Sequence, residues 1–146
     1  MDRKTTRSLS RVLEKISDPR EAEEFAAAYG KDSPEYFYQY LNEMIASKGL
    51  KVSQVITASG ISKNYAYNIL NGDKKNPGRD KIIALCIGAS MNYSQTQRAL
   101  ELAKAAPLYP KDARDIRIAV AINTGVGSVM QLNLLLDEYG LSPLDV

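Results

Sequence analysis

The chain has 146 residues, a hydrophobic fraction of 45% and a formal net charge of +2, with no histidine, no tryptophan and one cysteine. These values fit one compact domain, alone or with an appendage, and they exclude disordered, fibrous and disulfide-based chains. Without histidine the common catalytic triads and zinc sites are excluded, so we expect no enzymatic activity, no metal and no cofactor.

Residues 1–33 are predicted to form a pair of helices. Apolar residues at helical spacing, set among basic ones, predict an amphipathic helix over 7–16. Asp18 followed by Pro19 is typical of a helix start, with the carboxylate capping free amides, and Gly30 is expected to end the second helix. This helical pair is expected either to cover the rest of the protein or to exchange between copies.

A core domain is predicted over residues 34–92, and its first helix starts at the signal Ser33-Pro34. The apolar stripe from Phe37 to Ile45 lies on one side of this helix, which ends at Gly49. Two short helices and a fourth helix over 79–89 follow, the last with Ile82, Leu85, Cys86 and Ala89 facing inward.

The two short helices of the core are separated by a tight turn. Val52, Val55 and Ile56 mark the first helix, the turn lies at Ser59-Gly60, and the second helix runs over 63–70. Asn71 and Gly72 end the second helix. This arrangement is typical of a helix-turn-helix.

Residues 93–146 are predicted to form a helical extension packed on the core. Ser94 with Gln97 predicts a capping box for a helix that runs to about Ala105. A second helix covers 112–123, after breaks at two prolines, and a third begins at Ser128 with Gln131 and ends at Gly140. Since no segment predicts a strand, the expected fold class is all-α.

Charged residues alternate at the start of the second extension helix. Asp112 and Asp115 lie at helical spacing beside Arg114 and Arg117. This pattern predicts a solvated face of ion pairs rather than a pair of catalytic carboxylates.

A weak internal repeat lies in the C-terminal half. An offset of 35 residues superposes Arg79-Asp80 on Arg114-Asp115 and Leu100 on Leu135, and one inserted residue brings Pro107-Leu108 onto Pro143-Leu144. The matches predict two helical hairpins packed on each other. Two units are too few for a free-standing solenoid, which needs about three, and chance agreement between helix-rich sequences is the alternative.

No apolar run is long enough to cross a bilayer. The longest, Ile82 to Ala89, is far shorter than the roughly 20 residues that a membrane-spanning helix needs. The N-terminus carries charges where a signal peptide would be apolar. We therefore expect a cytoplasmic protein that makes no membrane contact.

The stretch LKVSQVITASGISKNYAYNILNGDKKNPGRDKIIALCIGASM, residues 50–91, resembles the Xre family of helix-turn-helix domains, which includes phage repressors and Cro. The marks that carry the resemblance are the turn Ser59-Gly60-Ile61-Ser62, the Asn71-Gly72 helix end, Gln54 in the first helix and Pro77 after a basic loop. The resemblance implies a lambda-repressor-like core and a transcriptional regulator that reads the DNA major groove with the helix at about 63–70.

Inward positions on the second short helix identify the side chains that would face DNA. With Ala66, Ile69 and Leu70 inward, four side chains point outward. Ser62 is expected to cap the helix and is counted among the DNA-binding residues. Lysine can donate to guanine and asparagine can form paired hydrogen bonds with adenine. The outward residues, called here the reading face, are Lys63, Asn64, Tyr67 and Asn68.

Residues flanking the reading face are expected to hold the DNA backbone. The family resemblance implies that Gln54 contacts a phosphate, and Lys51, Lys74 and Lys75 can add contacts that position the protein. Residues 48–81 contain seven basic side chains and two acidic ones, so positive charge is concentrated here. A lysine-rich solvated surface is the alternative interpretation.

The expected partner is double-stranded DNA with a palindromic operator, bound by a homodimer. The C-terminal helices carry more apolar residues than one buried stripe needs, so they can supply a dimer interface or be absorbed in the core. The competing hypothesis is a protein-interaction module of a signalling or phage-defence pathway that binds a protein partner through its helical flanks and a Tyr-rich surface. This surface consists of Tyr65 and Tyr67, with Tyr36, Tyr38 and Tyr40 nearby.

Overall fold

The computed structural model describes residues 6–29 and 36–146, and every regular element in these ranges is a helix. The all-α fold class predicted from the sequence is therefore confirmed. The chain forms two compact units, Met1–Ser33 and Pro34–Val146. None of the described helices is both long enough and apolar enough to cross a membrane.

The first unit contains α1 (Thr6–Glu14) and α2 (Pro19–Tyr29). The Arg20 amide donates to Asp18 Oδ1 at 2.9 Å, so Asp18 caps the start of α2 as predicted. Gly30, the predicted end of this helix, lies outside the described residues. Val12 and Leu13, on the apolar side of α1, are 39% and 54% exposed.

The second unit is a bundle of seven helices in its described part, residues 36–146. The predicted start signal at Ser33-Pro34 lies outside the described residues, and the first helix of this unit begins at Phe37, with Tyr36 at the N-cap position. The helices are α3 (Phe37–Ser47), α4 (Val52–Ser59), α5 (Lys63–Leu70), α6 (Arg79–Gly88), α7 (Tyr93–Leu102), α8 (Ala113–Asn123) and α9 (Val129–Glu138).

Helix α6 is the centre of the bundle. Its residues Ile82–Ile87 are all buried, and α4, α7 and α9 pack around it. Helix α4 approaches so closely that a Cβ atom added at Gly88 would overlap the carbonyl oxygen of Val55. Glycine at this position therefore sets the separation of α4 and α6.

The predicted start of α7 is wrong by two residues. Asn92, not Ser94, is the N-cap: its side chain accepts from the Gln95 amide at 2.8 Å, and Gln95 Oε1 accepts from the Asn92 amide at 3.0 Å. Gln97 is instead bound to both backbone groups of Leu108. The sequence offers two overlapping capping patterns here, Asn92 with Gln95 and Ser94 with Gln97. The first forms, because the Gln97 side chain binds the backbone of Leu108 instead.

The predicted solvated face of ion pairs at the start of α8 is also wrong. Asp115 is only 6% exposed, and Arg79 of α6 binds its two carboxylate oxygens at 3.2 and 2.8 Å. Arg114 binds Asp80 in the same two-pronged way, at 3.1 and 2.8 Å. These two ion pairs join α6 to α8. Each carboxylate binds an arginine of the other helix instead of forming an ion pair with a neighbour on its own helix.

The internal repeat corresponds to two helical hairpins, α6–α7 and α8–α9. Besides binding the other hairpin's aspartate, each arginine donates to carbonyls in the tail of its own hairpin: Arg79 to Ala106 and Pro107, Arg114 to Ser142 and Pro143. Because the exchange is reciprocal, the hairpins are related by an approximate two-fold rotation and form a closed pair rather than the start of a solenoid.

The register of the repeat differs slightly from the sequence expectation. The added residue is Gly127, in the turn of the second hairpin, so Leu100 corresponds to Leu136 and not to Leu135. Leu100 and Leu136 are both fully buried. Likewise, Gln97 Oε1 accepts from the Leu108 amide at 2.7 Å and its counterpart, Asn133 Oδ1, accepts from the Leu144 amide at 2.8 Å.

Candidate nucleic-acid interface

The turn between α4 and α5 depends on Gly60. Its φ of +71° lies in the left-handed region, and its amide donates to the Thr57 carbonyl. Such a φ is inexpensive only without a Cβ atom. Next to it, the Ser59 hydroxyl accepts from the Ile61 amide at 3.2 Å. The turn is thereby fixed, and α5 leaves α4 in a defined direction.

The division of α5 into inward and outward positions is confirmed. Ala66, Ile69 and Leu70 are buried at 0%, 0% and 5% exposure. All four side chains of the reading face are exposed, including Tyr67 at 38%. Since Asn42 Nδ2 also donates to the Leu70 carbonyl at 2.8 Å, α5 is held on the bundle with its polar side outward.

The residues flanking α5 occupy the places expected of them, with one difference. Lys51 is the N-cap residue of α4, and Gln54 lies in the first turn of that helix; both are exposed. Ser62 is at the N-cap position of α5, but its side chain forms no capping hydrogen bond. The expected capping by the Ser62 hydroxyl is therefore wrong, and this exposed hydroxyl has no capping partner on α5.

Tyr65 links α5 to the basic loop that follows it. Its ring is half-buried against the core, and the Lys74 and Lys81 Nζ atoms lie 5.8 and 5.3 Å from its centroid. The Lys74 amide also donates to the Asn68 carbonyl at 2.8 Å. Tyr65 is thus a support for the loop lysines, whereas Tyr67 belongs to the exposed reading face.

Lys104 joins Lys74 and Lys75 in a cleft that sequence reasoning missed. The cleft lies between the start of α3, the basic loop and the end of α7, has a volume of about 390 Å³, and includes the stacked rings of Tyr36 and Tyr38, 5.6 Å apart. Lys104 has a φ of +57°, where its counterpart in the second hairpin is Gly140. No sequence signal brings Lys104 here, because it lies about 30 residues beyond the loop.

The local charge is redistributed by tertiary contacts. Arg79 is occupied by Asp115, Asp80 by Arg114, and the Lys81 ammonium donates to the Asp145 carbonyl at 3.3 Å. In residues 48–81 the exposed charged residues are five lysines and one aspartate, Asp73. The lysines are Lys48, Lys51, Lys63, Lys74 and Lys75.

Helix α9 borders the helix-turn-helix, which the sequence also did not indicate. Its N-cap residue Ser128 and Met130 in its first turn line an open groove together with Gln54, Thr57 and Gly60. The extension therefore packs beside α4 at the residue that the family resemblance assigns to a phosphate, and it leaves the reading face of α5 exposed.

Comparison of the chain with protein-family models, with curated proteins and with solved structures found no match.

Proposed function

We propose that this chain is a cytoplasmic, sequence-specific DNA-binding regulator of the Xre type, with no catalytic activity of its own. The observation that carries the proposal is the surface of α5: a helix held by three buried apolar residues presents a lysine and two asparagines, Lys63, Asn64 and Asn68, to solvent. A helix of this kind fits the major groove, where such side chains distinguish base pairs.

Charge supports the same proposal. Exposed lysines precede α4 at Lys51, begin α5 at Lys63 and follow α5 at Lys74 and Lys75, whereas Asp73 is the one exposed acidic residue of residues 48–81. Lysines on both sides of a reading helix supply the sequence-independent contacts to phosphates that supplement base contacts. A short helix reads few base pairs, so we propose that two copies bind two half-sites of a palindromic operator.

The decisive experiment is selection of bound duplexes from a random DNA pool, followed by titration of the selected site. Asn64→Ala and Lys63→Ala are each expected to weaken binding to that site by about 1 to 3 kcal/mol and to relax the base preference at one position. Asn42→Ala, which loosens the α3 contact to α5 without touching the reading face, is a control for indirect effects on helix position.

Two results would refute the DNA proposal: no enrichment of any motif at low salt, or reading-face variants that bind the selected site like the wild type. The second candidate is then a protein-interaction module. The specific observation in its favour is the stacked pair Tyr36–Tyr38 beside the lysine cleft, with Tyr36 52% exposed, because exposed tyrosines are enriched in protein interfaces.

A further inference from the structure

The two hairpins differ in how one equivalent side is packed: within residues 36–146, helices cover this side of the first hairpin, and no helix covers it on the second. On the first hairpin, α4 packs on α6 and α3 packs on α7. Leu85 and Ala99, on the covered helices, are fully buried. Their counterparts on the second hairpin are Val120 and Leu135, which are 50% and 42% exposed. The equivalent side of the helical hairpin is thus buried in the first hairpin and exposed in the second.

The open side of the second hairpin is apolar at its centre. Tyr139, 52% exposed, corresponds to the half-buried Ala103, and Ile116, one turn before Val120, is 41% exposed. Large apolar residues concentrated on one side of two adjacent helices are unusual on a monomer surface and indicate an interaction site. We call this surface the bare face; it consists of Ile116, Arg117, Val120, Leu135, Glu138 and Tyr139.

The charges of the bare face are self-complementary. The Arg117 guanidinium on α8 lies over the Tyr139 ring, 3.7 Å from its centroid. Glu138 on α9 is exposed and borders Leu134 and Leu135. When the same surface is turned through a two-fold axis, as in an isologous dimer, the cation on one helix meets the anion on the other helix of the partner, and both charges are paired.

We propose that a second copy of this chain docks on the bare face, with α8 of one copy against α9 of the other. Val120 and Leu135 are the apolar centre of the interface, and Arg117 of each copy faces Glu138 of the other. The biological role of this dimer, two reading helices on one operator, rests on the proposed function, but its formation does not require DNA.

The test is sedimentation velocity of the full chain without DNA, at micromolar concentration. The wild type is expected to sediment as a dimer, and Val120→Glu or Leu135→Glu as a monomer, with dimer dissociation constants raised at least tenfold, since central interface residues carry most of the binding energy. Met130→Glu is the matched control, because Met130 is 73% exposed on α9 but faces the α4 groove; it should remain dimeric. Unchanged helical circular dichroism and melting temperature show that each variant is folded.

A charge exchange tests the two-fold arrangement. Arg117→Glu alone should weaken the dimer, and adding Glu138→Arg should restore it. Any one of four results would overturn the proposal. The wild type could be monomeric, or the dimer could survive both apolar substitutions. Alternatively, the dimer could be lost only in Met130→Glu, or the charge exchange could fail to restore it.

Failure of this proposal can be told apart from failure of the DNA proposal. If dimerisation fails but DNA binding is real, the selected motif still appears and the reading-face variants still weaken binding. If DNA binding fails but the dimer is real, the sedimentation results stand alone. If both proposals are correct, the Val120→Glu variant still binds a single half-site like the wild type, but it no longer binds the full palindrome more tightly than a half-site.

Discussion

Arg79 and Asp115, 36 positions apart, form a two-pronged ion pair, with Nη2 2.8 Å from Oδ2 and Nη1 3.2 Å from Oδ1. The Tyr109 amide donates to the same carboxylate at 2.9 Å. Arg114 and Asp80 repeat the arrangement, with the Asp145 amide as the additional donor at 2.9 Å. Each hairpin thus provides an arginine, an aspartate and a tail amide, and the reciprocal pairs join the core to the extension.

Arg79→Ala is expected to lower the free energy of unfolding by about 3 kcal/mol, because it leaves the Asp115 side chain, 8% exposed, without its cation. Urea denaturation measures this change. Glu101→Gln is the control: it removes a more exposed ion pair, Arg98–Glu101 at 3.6 Å, and should cost less than about 1 kcal/mol. Equal and small losses in both variants would show that the buried pair does not hold the hairpins together.

Stability should fall in acid through Asp80. Burial opposes its charge, but hydrogen bonds from Arg114 and from the Asp145 amide outweigh burial, so the pKa of Asp80 is lowered from 3.8. A carboxyl with a lowered pKa in the folded state stabilises the protein above its unfolded pKa, and this contribution disappears as pH falls through the folded pKa. The difference in unfolding free energy between wild type and Asp80→Asn should therefore be full above about pH 5 and shrink below 3.8.

The same comparison in an Arg114→Met background is the control for the Asp80 prediction. Arg114 supplies both a hydrogen bond and a charge to Asp80, so its removal should flatten the pH dependence of the Asp80→Asn effect. An equally steep dependence without Arg114 would contradict the assigned cause.

Gly88→Ala is expected to destabilise the protein by about 1 to 3 kcal/mol, because the added methyl group would overlap the Val55 carbonyl and separate α4 from α6. Thermal unfolding gives the size of the loss. Gly127→Ala serves as the comparison, since the nearest atom to its added Cβ is the end of the flexible Gln131 side chain, at 3.4 Å. If both variants melt alike, close helix packing at Gly88 is not important for stability.

The loop lysines should affect DNA binding differently from the reading face. Lys74→Ala and Lys75→Ala are each expected to weaken binding to all sequences and to reduce the slope of log affinity against log salt concentration by about 0.9 per lost phosphate contact. Asn64→Ala should leave that slope unchanged. Lys111→Ala, on the loop before α8, is a control for general surface charge, and a slope change as large as that of Lys74→Ala would argue against specific contacts.

Local patterns were sufficient to predict most helices. Glycine ends such as Gly49 and Gly140, caps such as Asp18 and Ser128, and apolar spacing depend on neighbours within one or two turns, so the sequence contains the information directly. The start of α7 was mispredicted because Asn92 and Ser94 both offer a capping pattern, and only the tertiary partner of Gln97, the Leu108 backbone, separates them.

The reading face was predictable for the same local reason. Three inward residues of a short helix determine which side chains are left outside, and the exposures of Ala66, Ile69 and Tyr67 agree with that division. The lysine cleft and the groove beside Gln54 were not predictable, since Lys104 and Met130 reach them only after the later helices have packed.

The sequence by itself determined the helices, the tight turn at Gly60 and the outward side of α5, because each depends on periodicity and capping within a few residues. Only the tertiary structure decided the partners of Arg79 and Arg114, the closed two-fold pairing of the hairpins and the exposure of the bare face. Those features depend on which distant charges and apolar faces meet, and the Arg79–Asp115 pair forms because burial between two hairpins gives Asp115 a stronger partner than any residue on its own helix.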